Sequence, residues 1–177
     1  FMFFFRGWSS LAAVISVATV ISYLTGPISL MALRRTATDV ERPLKLPLMN
    51  LIAPFAFVCA SLVLYWAKWP LTGEIILLMV VALPVYFYYQ SKSGFSGWGA
   101  DLKAALWLVA YLPTMAVLSV IGSKQFGGMG YLPYGWDMLV VAVIALGFYA
   151  WGVNTGYRTH YLDERESEED ILEGVGA

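Results

Sequence analysis

Long stretches of this 177-residue chain contain no lysine, arginine, aspartate or glutamate. The charge-free runs lie between Arg6 and Arg34, Lys45 and Lys68, Glu74 and Lys92, Lys103 and Lys124, and Asp137 and Arg158. A helix rises about 1.5 Å per residue, so about 20 apolar residues cross roughly 30 Å of hydrocarbon. Each run meets or approaches that length, the Glu74 to Lys92 run being the tightest. The spacing predicts an all-α integral membrane protein with five transmembrane helices, near 9–33, 48–67, 74–90, 104–122 and 137–157. Only 13% of the residues are charged and 59% are hydrophobic, against roughly 25% charged in soluble domains. Too little polar surface exists to cover a water-soluble fold. Barrel strands alternate lipid-facing and lumen-facing residues, whereas "IILLMVVALPVYFYY" (75–89) is continuously apolar.

Charge placement predicts the orientation. With five spans, segments 34–47 and 91–103 and the C-terminal tail share one side. They carry eight basic residues: Arg34, Arg35, Arg42, Lys45, Lys92, Lys103, Arg158 and Arg165. The other side carries three, Arg6, Lys68 and Lys124. Lys and Arg accumulate in cytoplasmic loops while acidic residues contribute little, so the 34–47 junction and the C-terminus are expected in the cytoplasm. The expected location is the cell (inner) membrane, with multiple passes. Trp66, Trp69, Trp98, Tyr131, Tyr134, Trp136, Tyr157 and Tyr161 fall near the borders, where amphipathic rings favour the headgroup layer.

The pattern divides the chain into four parts. Residues 1–8 open with "FMFFFRG", which reads as the end of a preceding outer segment, so more chain is expected upstream. A signal peptide would have an apolar region of about 7–15 residues, shorter than the uncharged stretch 7–33. Residues 9–92 hold three spans, 93–157 two additional ones, and 158–177 an acidic cytoplasmic tail. That tail ends in "DERESEEDILEGVGA", with seven acidic residues and one arginine, the composition of a solvated segment.

Little in the sequence points to catalysis. The single histidine, His160, lies beyond the last span, and the single cysteine, Cys59, lies within one. Cys59 reads as a small buried apolar residue with no disulfide partner. No metal-ligand set, cofactor motif or nucleophile with its base is present, so no enzyme is expected. The glycines of "KQFGGMGYLPYG" (124–135) lack the Lys-Ser/Thr ending of a phosphate-binding loop and read as a flexible outer loop. No charge lies inside a span, so a group that titrates during coupled transport is expected outside this sequence.

Two helix faces are distinctive. At about 100° per residue, Ser9, Ala12, Ser16, Thr19, Tyr23 and Gly26 share one stripe of the first span, with Val14, Val17, Ile21 and Leu24 mostly elsewhere. Small and hydroxylated residues suit either a helix contact or the lining of a substrate path. In the last span "GVNTG" (152–156) has GxxxG spacing, with Ala145 and Gly147 earlier; Gly152 and Gly156 are expected to let a neighbouring helix approach closely. Pro27, Pro54, Pro84 and Pro113 lie within spans, where each removes a backbone hydrogen bond.

The segment "GPISLMALRR", closing one apolar helix, and "TDVERPLKLP", leading into the next, resemble the cytoplasmic junction between the tenth and eleventh helices of amino-acid permeases. These permeases form the amino acid-polyamine-organocation superfamily. "ALPVYFYYQSK" (82–92) is similar to the end of the twelfth helix there, so the resemblance covers roughly residues 7–92. The family often has proline before the aspartate, where this chain has Thr38 before Asp39. Two further spans follow residue 92, as in fourteen-helix branches, and among these the chain most resembles the bacterial aspartate–proton symporters. The resemblance implies the C-terminal portion of an inverted-repeat, LeuT-like transporter, with substrate bound near the midplane between broken helices upstream. It implies an amino-acid substrate and a coupling proton as partners, a gating helix whose Ser16, Thr19 and Tyr23 line the path, and a junction shaped by Arg34, Arg35, Asp39, Arg42 and Pro43. The basic cluster then sets topology and touches anionic lipid and does not bind nucleic acid. The lipid bilayer and a second copy of the chain are the remaining expected partners. The alternative is a self-contained five-helix membrane scaffold or assembly subunit that gathers partners through its small-residue faces.

Overall fold

A computed structural model describes residues 8–38, 47–92 and 98–157. The described residues form five α-helices: α1 (Trp8–Thr36), α2 (Met49–Trp66), α3 (Leu71–Lys92), α4 (Trp98–Ile121) and α5 (Trp136–Thr155). Each is centred on a charge-free run, with charged residues only in the turns near its ends, because in hydrocarbon a helix satisfies every backbone N–H and C=O within its own segment. Ala12–Thr36 of α1, all of α2, Leu102–Ile121 of α4 and all of α5 are long and apolar enough to cross a membrane. Among the described residues four of the five expected spans qualify by length and composition. α3 is helical throughout, but its qualifying apolar stretch is the shorter Leu71–Val81. Pro84 lies inside this continuous helix.

The helix ends define the topology. At one end of the bundle Arg35, in the last turn of α1, bonds to Asn154 and the Val153 carbonyl in the last turn of α5. At the other end the Tyr65 hydroxyl, at the close of α2, donates to Asp137 in the first turn of α5. α1 and α5 therefore run parallel, and α2 runs against both. There too, the α2–α3 turn meets the α4–α5 loop, where the Trp69 N–H donates to the Phe126 carbonyl at 3.2 Å. Lys68 adopts a left-handed conformation (φ 68°) just after α2, the role glycine usually takes past a helix end.

The core sits where α1, α2, α4 and α5 meet. Val14, Val17, Ile21, Leu24 and Ile28 of α1 are buried against Phe57 and Leu64 of α2, Trp107, Tyr111 and Met115 of α4, and Val141 and Ala145 of α5. The Phe57 ring lies 5.5 Å from that of Tyr111 and 5.8 Å from that of Tyr149, spacings that favour edge and tilted aromatic contacts. A short relay crosses this core: Tyr111 donates to the Ser61 hydroxyl, which donates to the Phe57 carbonyl, both at 2.8 Å.

Two expectations about single segments are corrected. Cys59 is exposed, not buried. It lies on the outward face of α2 with Ile52, Phe55, Val63 and Trp66, because between lipid and protein an apolar side chain has no strong reason to choose the interior. Residues 124–135 do not form a loose loop. Lys124–Phe126 make a 3-10 turn, and the following strand of loop returns along the end of α4. Met129 N–H donates to Val120 O, Gly130 N–H to Gly122 O and Leu132 N–H to Ile121 O. Those bonds satisfy carbonyls that the end of α4 would otherwise leave open.

Candidate functional site

Three places carry the polar chemistry of the described residues: the outward face of α1 and the two ends of α5. On α1 the buried stripe is the aliphatic one, and the hydroxylated stripe faces the opposite way. Ser16, Thr19 and Tyr23 are all exposed, Tyr23 at 67%. Ser16 donates to Ala12 O and Thr19 to Ile15 O, while Ser22 and Thr25 bond to Thr19 O and Ser22 O. Hydroxyls bonded back to their own helix can face an apolar surrounding without an unmet donor, and their lone pairs stay open to a ligand or a neighbouring helix. The structure gathers Ser16, Thr19 and Tyr23 on one face and brings no other part of the described chain over them.

At the end where α1 and α5 terminate, the predicted glycines meet α1. A methyl group on Gly152 would stand 2.8 Å from Ile28 Cδ1 and 3.1 Å from Trp107 Cδ2, and one on Gly156 would collide with Ala32. Gly147 faces open space, because on α5 it points away from the stripe that holds Ala145 and Gly152. Arg35 completes this contact through Asn154 and Val153 O. A cation on the last carbonyls of α5 is favoured by the partial negative charge of a helix C-terminus. Arg34 sits beside it, with a buried Nε that has no hydrogen-bond partner. Asp39, Arg42 and Pro43 lie outside the described residues.

The opposite end of α5 holds a group that sequence reasoning treated only as the border of a charge-free run. Asp137 is fully buried. Its Oδ1 accepts the N–H groups of Gly135 at 2.9 Å and Met138 at 2.8 Å, and its Oδ2 accepts the Tyr65 hydroxyl at 2.9 Å. Ser123 adjoins both side chains, although its buried Oγ makes no hydrogen bond of normal geometry. The helix N-terminus supports a negative group there, and three donors replace the water that burial removes. Gly122 lies directly against the Tyr65 hydroxyl, where a Cβ would collide with it. The sequence signal that could have found this network is a carboxylate in the first turn of an apolar span, preceded by a glycine-rich loop.

No group of three or more His, Cys, Asp or Glu that could hold a metal ion occurs among the described residues. The arrangement is therefore a helix assembly with one open hydroxylated face and two polar fastenings.

No protein-family model matches the sequence, and no solved structure matches it. Two proteins of Bacillus subtilis (strain 168) do. The glutamate/serine transporter AimA is 52% identical over 175 residues, 98% of this chain and 32% of that protein. The aspartate-proton symporter is 35% identical over 156 residues, 86% of this chain and 29% of that protein. The chain thus spans about a third of the length of the curated relatives it matches. Both relatives are amino-acid transporters, not enzymes.

Proposed function

We propose that this chain is the C-terminal part of a secondary active amino-acid transporter of the amino acid-polyamine-organocation superfamily. The transporter would carry an amino acid by alternating access, in symport with a proton or in exchange. The observation that carries the reading is the identity to a glutamate/serine transporter along 98% of this chain. The match to an aspartate-proton symporter supports a coupling proton, and the two relatives' names support acidic and small hydroxylated amino acids as substrates.

On this reading the substrate lies near the midplane, between broken helices of two inverted repeats that belong to the remaining two thirds of the protein. α1 is the gating helix, and Ser16, Thr19 and Tyr23 present hydroxyls to the path. Their exposure on the face opposite the aliphatic core supports that role. α3 serves as a fifth span, which the alternating directions of α1, α2 and α5 favour. An odd number of crossings leaves Arg34, Arg35, Asp39, Arg42 and Pro43 in the same cytoplasmic layer as the end of α5, with the C-terminus cytoplasmic in the cell membrane.

Uptake in proteoliposomes tests this. The full-length protein should take up radiolabelled glutamate, serine or aspartate saturably, and an imposed proton gradient should drive it. The 177-residue chain alone should take up none. Saturable uptake by the short chain, or a full-length protein indifferent to every amino acid offered, would sink the proposal.

A further inference from the structure

A groove of about 420 Å³ opens between α1, α4 and α5, near the end of the bundle where α1 and α5 terminate. Ile28 and Ala32 of α1, Ala104 and Trp107 of α4, and Gly152 and Gly156 of α5 form its walls. Thr25 at its far end turns its hydroxyl to the Ser22 carbonyl, and the walls are mostly carbon, with Ser29 and Tyr157 also lining the groove. From Thr25 to Ala32 the groove runs about 10 Å, two helical turns.

Its inner end is different. Arg35 stands less than one turn beyond Ala32, is exposed, and uses Nη1 to hold Val153 O and Asn154 of α5. A guanidinium carries five N–H donors in a planar fork. Nη1 supplies the two spent on α5, which leaves the three on the Nε and Nη2 edge, the geometry that binds phosphate bidentately. Arg34 in the same turn and Lys103, next to Ala104 on α4, add positive charge. A mostly apolar groove with an arginine two residues beyond its last lining residue on α1, Leu33, matches an amphiphile with an anionic head. A neutral helix seated there would leave the fork unpaired.

We propose that this groove is a binding site for one anionic phospholipid, its acyl chain lying between α1, α4 and α5 and its phosphate on the free edge of Arg35. The site is distinct from the hydroxylated face of α1 and does not depend on the transport reading.

The test uses the full-length protein in bilayers containing phosphatidylglycerol or phosphatidylcholine with brominated acyl chains, which quench tryptophan on contact. The signal of Trp107 is isolated by difference against Trp107→Phe. Brominated phosphatidylglycerol should quench Trp107 at about fivefold lower mole fraction than brominated phosphatidylcholine, the gain expected for one basic residue at an anionic headgroup. Arg35→Gln should abolish that preference, Arg35→Lys should keep part of it, and Ala105→Phe, which fills the groove, should remove quenching by both lipids. Equal quenching by the two lipids would overturn the proposal. So would protection of Trp107 from both, which would mean that protein covers the groove. Should Arg35→Gln fail to fold, the comparison of the two lipids on the unaltered protein still decides.

Discussion

Replacing Tyr65 by phenylalanine deletes one oxygen atom and leaves the ring in place, still 5.3 Å from the ring of Phe126. What is lost is the 2.9 Å bond to Asp137 Oδ2, between two side chains that are both buried. Two scales compete for its worth. Hydrogen bonds between neutral groups of membrane helices average about 0.6 kcal/mol and reach about 1.7, whereas bonds to charged groups contribute about 1.5–3 kcal/mol. Asp137 accepts at both oxygens, from Tyr65 and from two backbone N–H groups, so the charged scale applies. Y65F should therefore destabilise the protein by about 2 kcal/mol, roughly 30-fold in the unfolding equilibrium. The assay is unfolding in mixed dodecylmaltoside–dodecylsulfate micelles, followed by tryptophan fluorescence, for Y65F, D137N and the double variant. The expected coupling energy of the cycle exceeds about 1.5 kcal/mol on the same scale. A coupling of about 0.6 kcal/mol or less would show that the pair behaves as neutral groups and would refute the reasoning.

Gly152→Leu should force α5 away from α1, since even a methyl group would stand 2.8 Å from Ile28; a loss of about 1–3 kcal/mol is expected from overpacking, and Ile28→Ala in the same chain should restore part of it in the same micelle titration. Gly122→Ala meets three atoms, the Tyr65 hydroxyl, the Tyr65 Cζ at 2.9 Å and the Leu118 carbonyl at 2.9 Å. Y65F removes only the first, so the double variant should recover stability partially, and full recovery would mean that the backbone gives way. Thr19→Trp on the open face of α1 should lower amino-acid uptake by the full-length protein at least tenfold while shifting the unfolding midpoint hardly at all, as for an exposed position. Unchanged uptake would remove Thr19 from the path.

The helices were legible because lipid imposes a one-dimensional rule. A run of uncharged residues of the right length is helical irrespective of what lies beside it, and α1, α2, α4 and α5 follow from that alone. α3 follows the same rule: its run is uncharged between Glu74 and Lys92, and the helix is continuous over Leu71–Lys92. The stripe of Ser16, Thr19 and Tyr23 was legible from helical periodicity, since it needs only the angle between residues. The Cys59 position was not, because hydrophobicity does not distinguish a side chain facing lipid from one facing protein.

Contacts between elements were the part that periodicity could not reach. Tyr65 and Asp137 stand 72 residues apart in the chain and Arg35 and Asn154 stand 119 apart. Nothing in either local sequence names its partner. Likewise the glycine-rich segment 124–135 has the composition of a mobile loop, and it is ordered only because α4 offers carbonyls along which it folds back. Length and polarity, which depend on each residue's own transfer between water and lipid, determined the class of this protein and where its helices lie. Which helices pair, where Asp137 finds its donors and which face of α1 is left open depend on residues distant in sequence meeting in space, and only the tertiary structure decided them.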